Sequence, residues 1–167
     1  MAAPSDWALA YLEQARADMR GADLVQAEEP SVLAMLLQMV LEKLGKAALL
    51  RSGQTTVAAA TSSHAAATRM VQLLSNDRRA CRRLDWQPMV LRAHIAPIVA
   101  RLERSQPQLA AGGPCLEYPW EDPTGAILWP ARDLAIAKEF GPKRNTGPLL
   151  RRFVADLCAR FDAVFPS

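Results

Sequence analysis

The chain is poor in the residues on which most recognisable chemistry rests. It holds two histidines, three cysteines and only 6% aromatic residues. Cys81, Cys115 and Cys158 are odd in number and widely spaced. That excludes a closed disulfide framework and the paired spacing of a zinc site, and it fits a reducing cytoplasm. No P-loop, GxSxG or HExxH pattern occurs. The longest apolar run, residues 32–41, is interrupted by Gln38 and falls short of the roughly 20 residues that cross a membrane. The opening MAAPSDWALAYLEQ has no basic segment leading into an apolar one, so no secretory signal is expected. Charge of one sign is also missing. Twenty Lys and Arg face 17 Asp and Glu, a net +3, which limits any basic surface to a local patch. Internal repeats and low-complexity tracts are absent.

Alanine and leucine abound while valine and isoleucine are modest, a balance that favours helix over sheet. The organising stretch is residues 31–51, SVLAMLLQMVLEKLGKAALLR. Leu33, Leu36, Leu37, Val40, Leu41, Leu44, Ala47 and Ala48 recur at helical spacing and define a core-facing side. A second stripe runs through Met35, Met39, Glu42, Lys46 and Leu49, so this helix is expected to be covered on two sides. Ser31 is read as its cap, and Gly53 as its stop, free to adopt positive φ.

A first helix is expected from Ser5 or Asp6 to about Glu29, with Ala8, Leu12, Ala15, Met19 and Ala22 inward. Pro30 ends it, and the short link implies a helical hairpin. Residues 54–60 form a connection of uncertain structure. Thr61, Ser62 and Ser63 offer caps for a helix over about 63–75, and a short helix is expected over 77–85. A longer one runs from Pro88 to about Arg104, with Leu91, Ile95, Ile98 and Leu102 inward and a kink at Pro97. Residues 105–129 are rich in Pro, Gly and turn dipeptides, yet Leu116, Tyr118, Trp120, Ile127 and Trp129 should pack this loop onto the helices. Asp122-Pro123-Thr124-Gly125 is a β-turn pattern. Residues 130–140 suggest a short helix. Asn145 and Thr146 are read as caps for a final helix to about Phe165, with Leu150, Phe153, Val154, Leu157, Phe161 and Val164 inward. The fold class expected is all-α: an up-and-down bundle of four or five principal helices in one domain over residues 1–167.

Polar residues that interrupt this pattern are the candidate sites. Glu42, Lys43 and Lys46 interrupt the most apolar helix and form a candidate ligand-binding group with His64; the plainer reading is an ordinary i,i+4 pair. His64 lies at an expected helix start, where it either meets a phosphate or packs beneath the helix. His94 is read as a core histidine. Arg78, Arg79, Arg82 and Arg83 share one helical face and are the candidate nucleic-acid contacts; the alternative is a solvated face. Met35, Met39 and Leu49 are the candidate dimer interface. No metal site and no cofactor are expected.

The central helix also resembles that of HEPN domains, in which a run ending Glu-Lys-x-x-Lys-Ala is followed by Gly; here these are Glu42, Lys43, Lys46, Ala47 and Gly53. SSHAAATRMVQLL is similar to that family's Thr-His helix start, with Ser63-His64 in its place. LEYPWEDPTG is similar to its Arg-Tyr-Pro segment, with Glu117 where arginine often stands. The resemblance implies an α-helical bundle that often dimerises, and the bulk composition makes a cytoplasmic protein the expectation. Members act as RNA-cleaving toxins, nucleotide binders or partners of nucleotidyltransferases in toxin–antitoxin or defence systems. Its ribonucleases share an Arg-x4–6-His motif, which is missing here: His64 precedes Arg69, and Arg92 stands only two residues before His94. The expectation is a non-catalytic module binding nucleotide, RNA or a protein partner. The alternatives are a divergent ribonuclease using His64 with Arg69 or Arg51, and a structural interaction protein docking through its aromatic loop.

Overall fold

The computed structural model describes residues 2–25 and 29–166. It is an all-α helical bundle with a single two-stranded hairpin among the described residues. Helix α1 (Pro4–Leu24) opens on proline, whose missing N–H suits a first helical position. Asp6 does not cap forward; its carboxylate accepts from the Ala3 backbone N–H at 3.0 Å. The inward stripe is the expected one, with Ala8, Leu12, Ala15, Met19 and Ala22 all buried. The helix stops earlier than expected, as Val25 turns to extended backbone. Gln26 to Glu28 lie outside the described residues.

Helix α2 (Pro30–Arg51) packs along α1 and also touches α4 (Ala66–Asn76), α7 (Ala96–Arg104) and α11 (Thr146–Val164). Its start corrects the sequence reading. Pro30 takes the first position after Glu29, and Ser31 is buried inside the first turn instead of capping it. Its end is the expected one: Gly53 has φ +65°. The Gly53 N–H donates to the Leu50 carbonyl at 3.1 Å and the Gln54 N–H to that of Leu49 at 2.8 Å, a Schellman closure. Leu49 is only 3% exposed, so it is enclosed by its own chain and unavailable as a dimer contact. Met35 and Met39 are half-buried, and the short helices α9 (Pro130–Asp133) and α10 (Ala135–Lys138) lie on this helix. The second stripe is thus covered in large part from within.

The connection after α2 contains a short helix, α3 (Val57–Ser62), capped by Thr56. Helix α5 (Arg78–Leu84) is capped by Asp77, whose carboxylate accepts from the N–H groups of Arg79 at 2.7 Å and Ala80 at 3.2 Å. The next rod is a turn of helix, α6 (Pro88–Val90), a π-turn (Leu91–Ile95), and then α7. In place of a simple kink at Pro97, the ladder widens just before it: the Ala96 N–H reaches back five residues to Leu91. The extra residue accommodates the proline ring, which otherwise meets the preceding turn. It also rotates His94 into solvent, correcting its reading as a core residue.

Residues 105–129 form α8 (Pro107–Ala110) and the hairpin β1 (Trp120–Glu121) and β2 (Ile127–Leu128), with Trp120 opposite Leu128. The turn is the expected one: Asp122 accepts from the Thr124 hydroxyl, the Thr124 N–H and the Ala126 N–H, and Gly125 has φ +85°. Leu116 and Trp120 join the core, but Tyr118, Ile127 and Trp129 point outward. Strand alternation puts Trp120 and Leu128 on one face of the hairpin and Ile127 and Trp129 on the other; Tyr118 lies before β1 and outside this alternation. Arg132 covers Trp129, its guanidinium 3.5 Å from the ring centroid. In α11 the expected stripe is buried, with Phe153 and Phe161 fully enclosed, but Asn145 makes no side-chain cap.

Candidate functional site

Three of the polar residues singled out in the sequence meet in one network. Glu42 and Lys46 are one turn apart on α2, and Nζ of Lys46 lies 2.8 Å from Oε1 of Glu42. The loop before α4 brings Nδ1 of His64 to 3.0 Å from the same oxygen. Gln38 reaches the other carboxylate oxygen at 3.4 Å, and the Lys46 ammonium also lies 5.5 Å from the Tyr11 ring centroid. Burial pushes the Glu42 carboxyl up; the Lys46 hydrogen bond and charge, with His64 adding to both, outweigh it, so the pKa falls below the ordinary glutamate value. An ionised carboxylate only accepts, so the Nδ1 proton of His64 points at Glu42. The Gln106 amide nitrogen, 3.2 Å from Nδ1, is then a neighbour and not a donor to it.

This network is tightly packed, with 25% of the His64 side chain and 16% of that of Glu42 left exposed. The space lined by Gln38, Glu42, His64 and Glu103 has no room for a water molecule. Lys43 does not join it: Lys43 turns to α1 and pairs with Asp18 at 2.7 Å. Nor do the arginines needed for a nuclease reading. The Arg69 guanidinium donates to the Gln54 carbonyl at 3.4 Å, and Arg51 pairs with Asp162 and donates to the Phe165 carbonyl. The arrangement ties α2 to the start of α4.

That same helix start shows two residues that sequence reasoning missed. Glu103, on α7, accepts from the N–H groups of Ala67 at 2.9 Å and Thr68 at 3.1 Å. It thereby caps α4 from another helix, which residues 61–63 were expected to do. Gly45, on α2, lets the α4 backbone approach: a Cβ there would stand 2.6 Å from the carbonyl carbon and oxygen of Ala66. A glycine one residue before Lys46 was the available signal for the second; nothing local marks the first.

The basic patch lies elsewhere, on α5. Arg78, Arg79, Arg82 and Arg83 are all exposed. Arg83 donates to the Ala163 carbonyl at 3.1 Å, fastening α5 to α11. Arg78, Arg79 and Arg82 make no ion pair with a carboxylate among the described residues. Asp77, which flanks them in sequence, is committed to the helix cap. Arg78 and Arg82 line an open groove of about 970 Å3 that runs past Trp86 and Met89 to Arg92.

No group of three or more His, Cys, Asp or Glu placed to hold a metal occurs among the described residues. No helix among them is long and apolar enough to cross a membrane. No protein-family model, no curated protein and no solved structure matches this chain.

Proposed function

We propose that this chain is a non-catalytic, HEPN-like helical module that binds RNA through the phosphate backbone. The observation that carries the reading is α5, where three exposed arginines lack a carboxylate partner among the described residues and the adjoining Asp77 is held in a cap. Such a row neutralises phosphates and releases counterions. The central-helix pattern Glu42-Lys43-x-x-Lys46-Ala47 and the helical bundle support the family reading. A homodimer through the exposed Val32 and the part of Met35 and Met39 that α9 and α10 leave open belongs to the same reading. A nucleotidyltransferase-type partner and a toxin–antitoxin or defence role belong to the same reading.

The test is RNA binding by fluorescence anisotropy across a salt series. Affinity should fall as salt rises, by about 0.7 log units per log unit of salt for each phosphate neutralised on a single strand. Replacing Arg78, Arg79, Arg82 and Arg83 by glutamine should remove most of that slope; a salt-insensitive affinity overturns the reading.

A ribonuclease reading rests on one observation, the Glu42–His64 contact, which orients an imidazole as a general base would need. The closed space around it, and the separate partners of Arg51 and Arg69, favour a structural role. Cleavage of mixed RNAs that disappears in both His64→Ala and Arg69→Ala would reverse that preference.

A further inference from the structure

We infer that the groove beside α5 takes a single strand of RNA, with phosphates on Arg78, Arg82 and Arg92 and a base laid against the wall made by Trp86 and Met89. This rests on the RNA reading and narrows it to one strand form and one place. The groove's lining carries three arginines against one carboxylate, Asp85, so its charge suits a polyanion. Arg92 was not part of the arginine cluster visible in sequence. The π-turn brings it alongside, where one N–H is held by the Ser75 carbonyl at 2.8 Å and the remaining guanidinium donors have no partner among the described residues.

The wall is what distinguishes this groove from a merely basic surface. Trp86 is half-buried and held from behind. Its Nε1–H donates to Asp156 at 2.9 Å, and its ring meets Phe153 edge-on at 5.4 Å. A stacking partner fixed in this way loses little freedom when a ligand arrives. Met89 stands beside it 76% exposed, an apolar side chain for which core packing gives no reason. A base face can use both, and only an unpaired strand offers base faces; the deep, narrow major groove of an RNA duplex admits neither side chain. At about 970 Å3 the groove is open and has the volume for more than one nucleotide.

The experiment compares a labelled oligouridylate with the same strand annealed to its complement, at low salt. The single strand should bind about tenfold more tightly, and Met89→Ala, which removes the apolar wall without changing charge, should weaken it by about fivefold while changing duplex binding little. Arg79→Gln, outside the groove lining, should weaken both forms alike. A strand carrying 4-thiouridine, irradiated on the wild-type protein, should crosslink within the tryptic peptide of residues 84–92. Equal affinity for both forms, an unaffected Met89→Ala variant, or crosslinks confined to other peptides overturns the groove while leaving the RNA reading intact. Failure of both forms to bind overturns the RNA reading itself.

Discussion

Oε1 of Glu42 lies 3.0 Å from Nδ1 of His64, a residue 22 positions later in the chain. The contact joins the middle of α2 to the loop that starts α4, and Lys46 shares the same oxygen. Because the Glu42 carboxyl is held below its ordinary pKa, the folded state prefers the ionised form. That stability is present above the unfolded glutamate pKa and is lost as pH falls through the lower, folded value. Glu42→Gln should therefore be less stable than wild type near neutrality, with the gap closing in acid. Urea unfolding across pH 3 to 7, roughly the span over which carboxylates titrate, measures it; a gap that stays constant rules out the linkage.

Lys46 is the test of whether this carboxylate is balanced. Its side chain is 7% exposed, and Glu42 is 16% exposed. Lys46→Met leaves the carboxylate with only its contacts to His64 and Gln38. A loss of about 2 kcal/mol is expected, against a few tenths for a fully exposed i,i+4 pair. Denaturant midpoints at constant m-value separate the two.

Two glycines should respond in opposite directions. Gly45→Ala places a methyl group against backbone atoms of Ala66 and Ala67, which cannot rotate away, so α2 and α4 must separate. The expected loss is at least about 2 kcal/mol, despite alanine's better helix propensity. Gly21→Ala meets nothing within 4 Å and should stabilise α1 by about 0.5–1 kcal/mol. Thermal unfolding of the pair reads both signs.

Glu103→Ala strips the first turn of α4 of its acceptor and should destabilise the bundle by about 1–3 kcal/mol. Glu103→Gln keeps an acceptor oxygen and should lose less. Hydrogen exchange should show the released protection concentrated at Ala67 and Thr68; uniform loss along the chain would mean that Glu103 does something else.

Cys158 is buried in α11, and that burial pushes its thiol pKa up to about 11, partly opposed by Arg16. At pH 8 the folded protein should leave it unalkylated by iodoacetamide while denaturant exposes it. Peptide mapping of the labelled sites checks this directly.

The sequence by itself determined the bundle. The stripes of α1, α2, α4 and α11 repeat at helical spacing, and burying such a stripe requires neighbouring helices whatever their order. Helix stops and turns were legible where chemistry is local, as at Gly53 and in the Asp122–Gly125 hairpin turn. Starts were less so: Pro30 displaced Ser31, and Asn145 caps nothing, because a cap depends on where the first turn falls and not only on the residue type present.

Only the tertiary structure decided what the polar residues do. Glu42, Lys46 and His64 were each visible as exceptions, but their convergence depends on how α4 docks across α2, a distance that Gly45 permits. Lys43 turned the other way, and Leu49 went inside, because α2 is surrounded by neighbours that periodicity cannot count. Glu103 caps a helix 36 residues away, and Trp86 and Arg92 join Arg78 and Arg82 only where α5 meets the π-turn. The physical reason is range. Helical periodicity and turn geometry act over a few residues, whereas ion pairs, shared caps and grooves form between side chains that the packed helices carry together from distant parts of the chain.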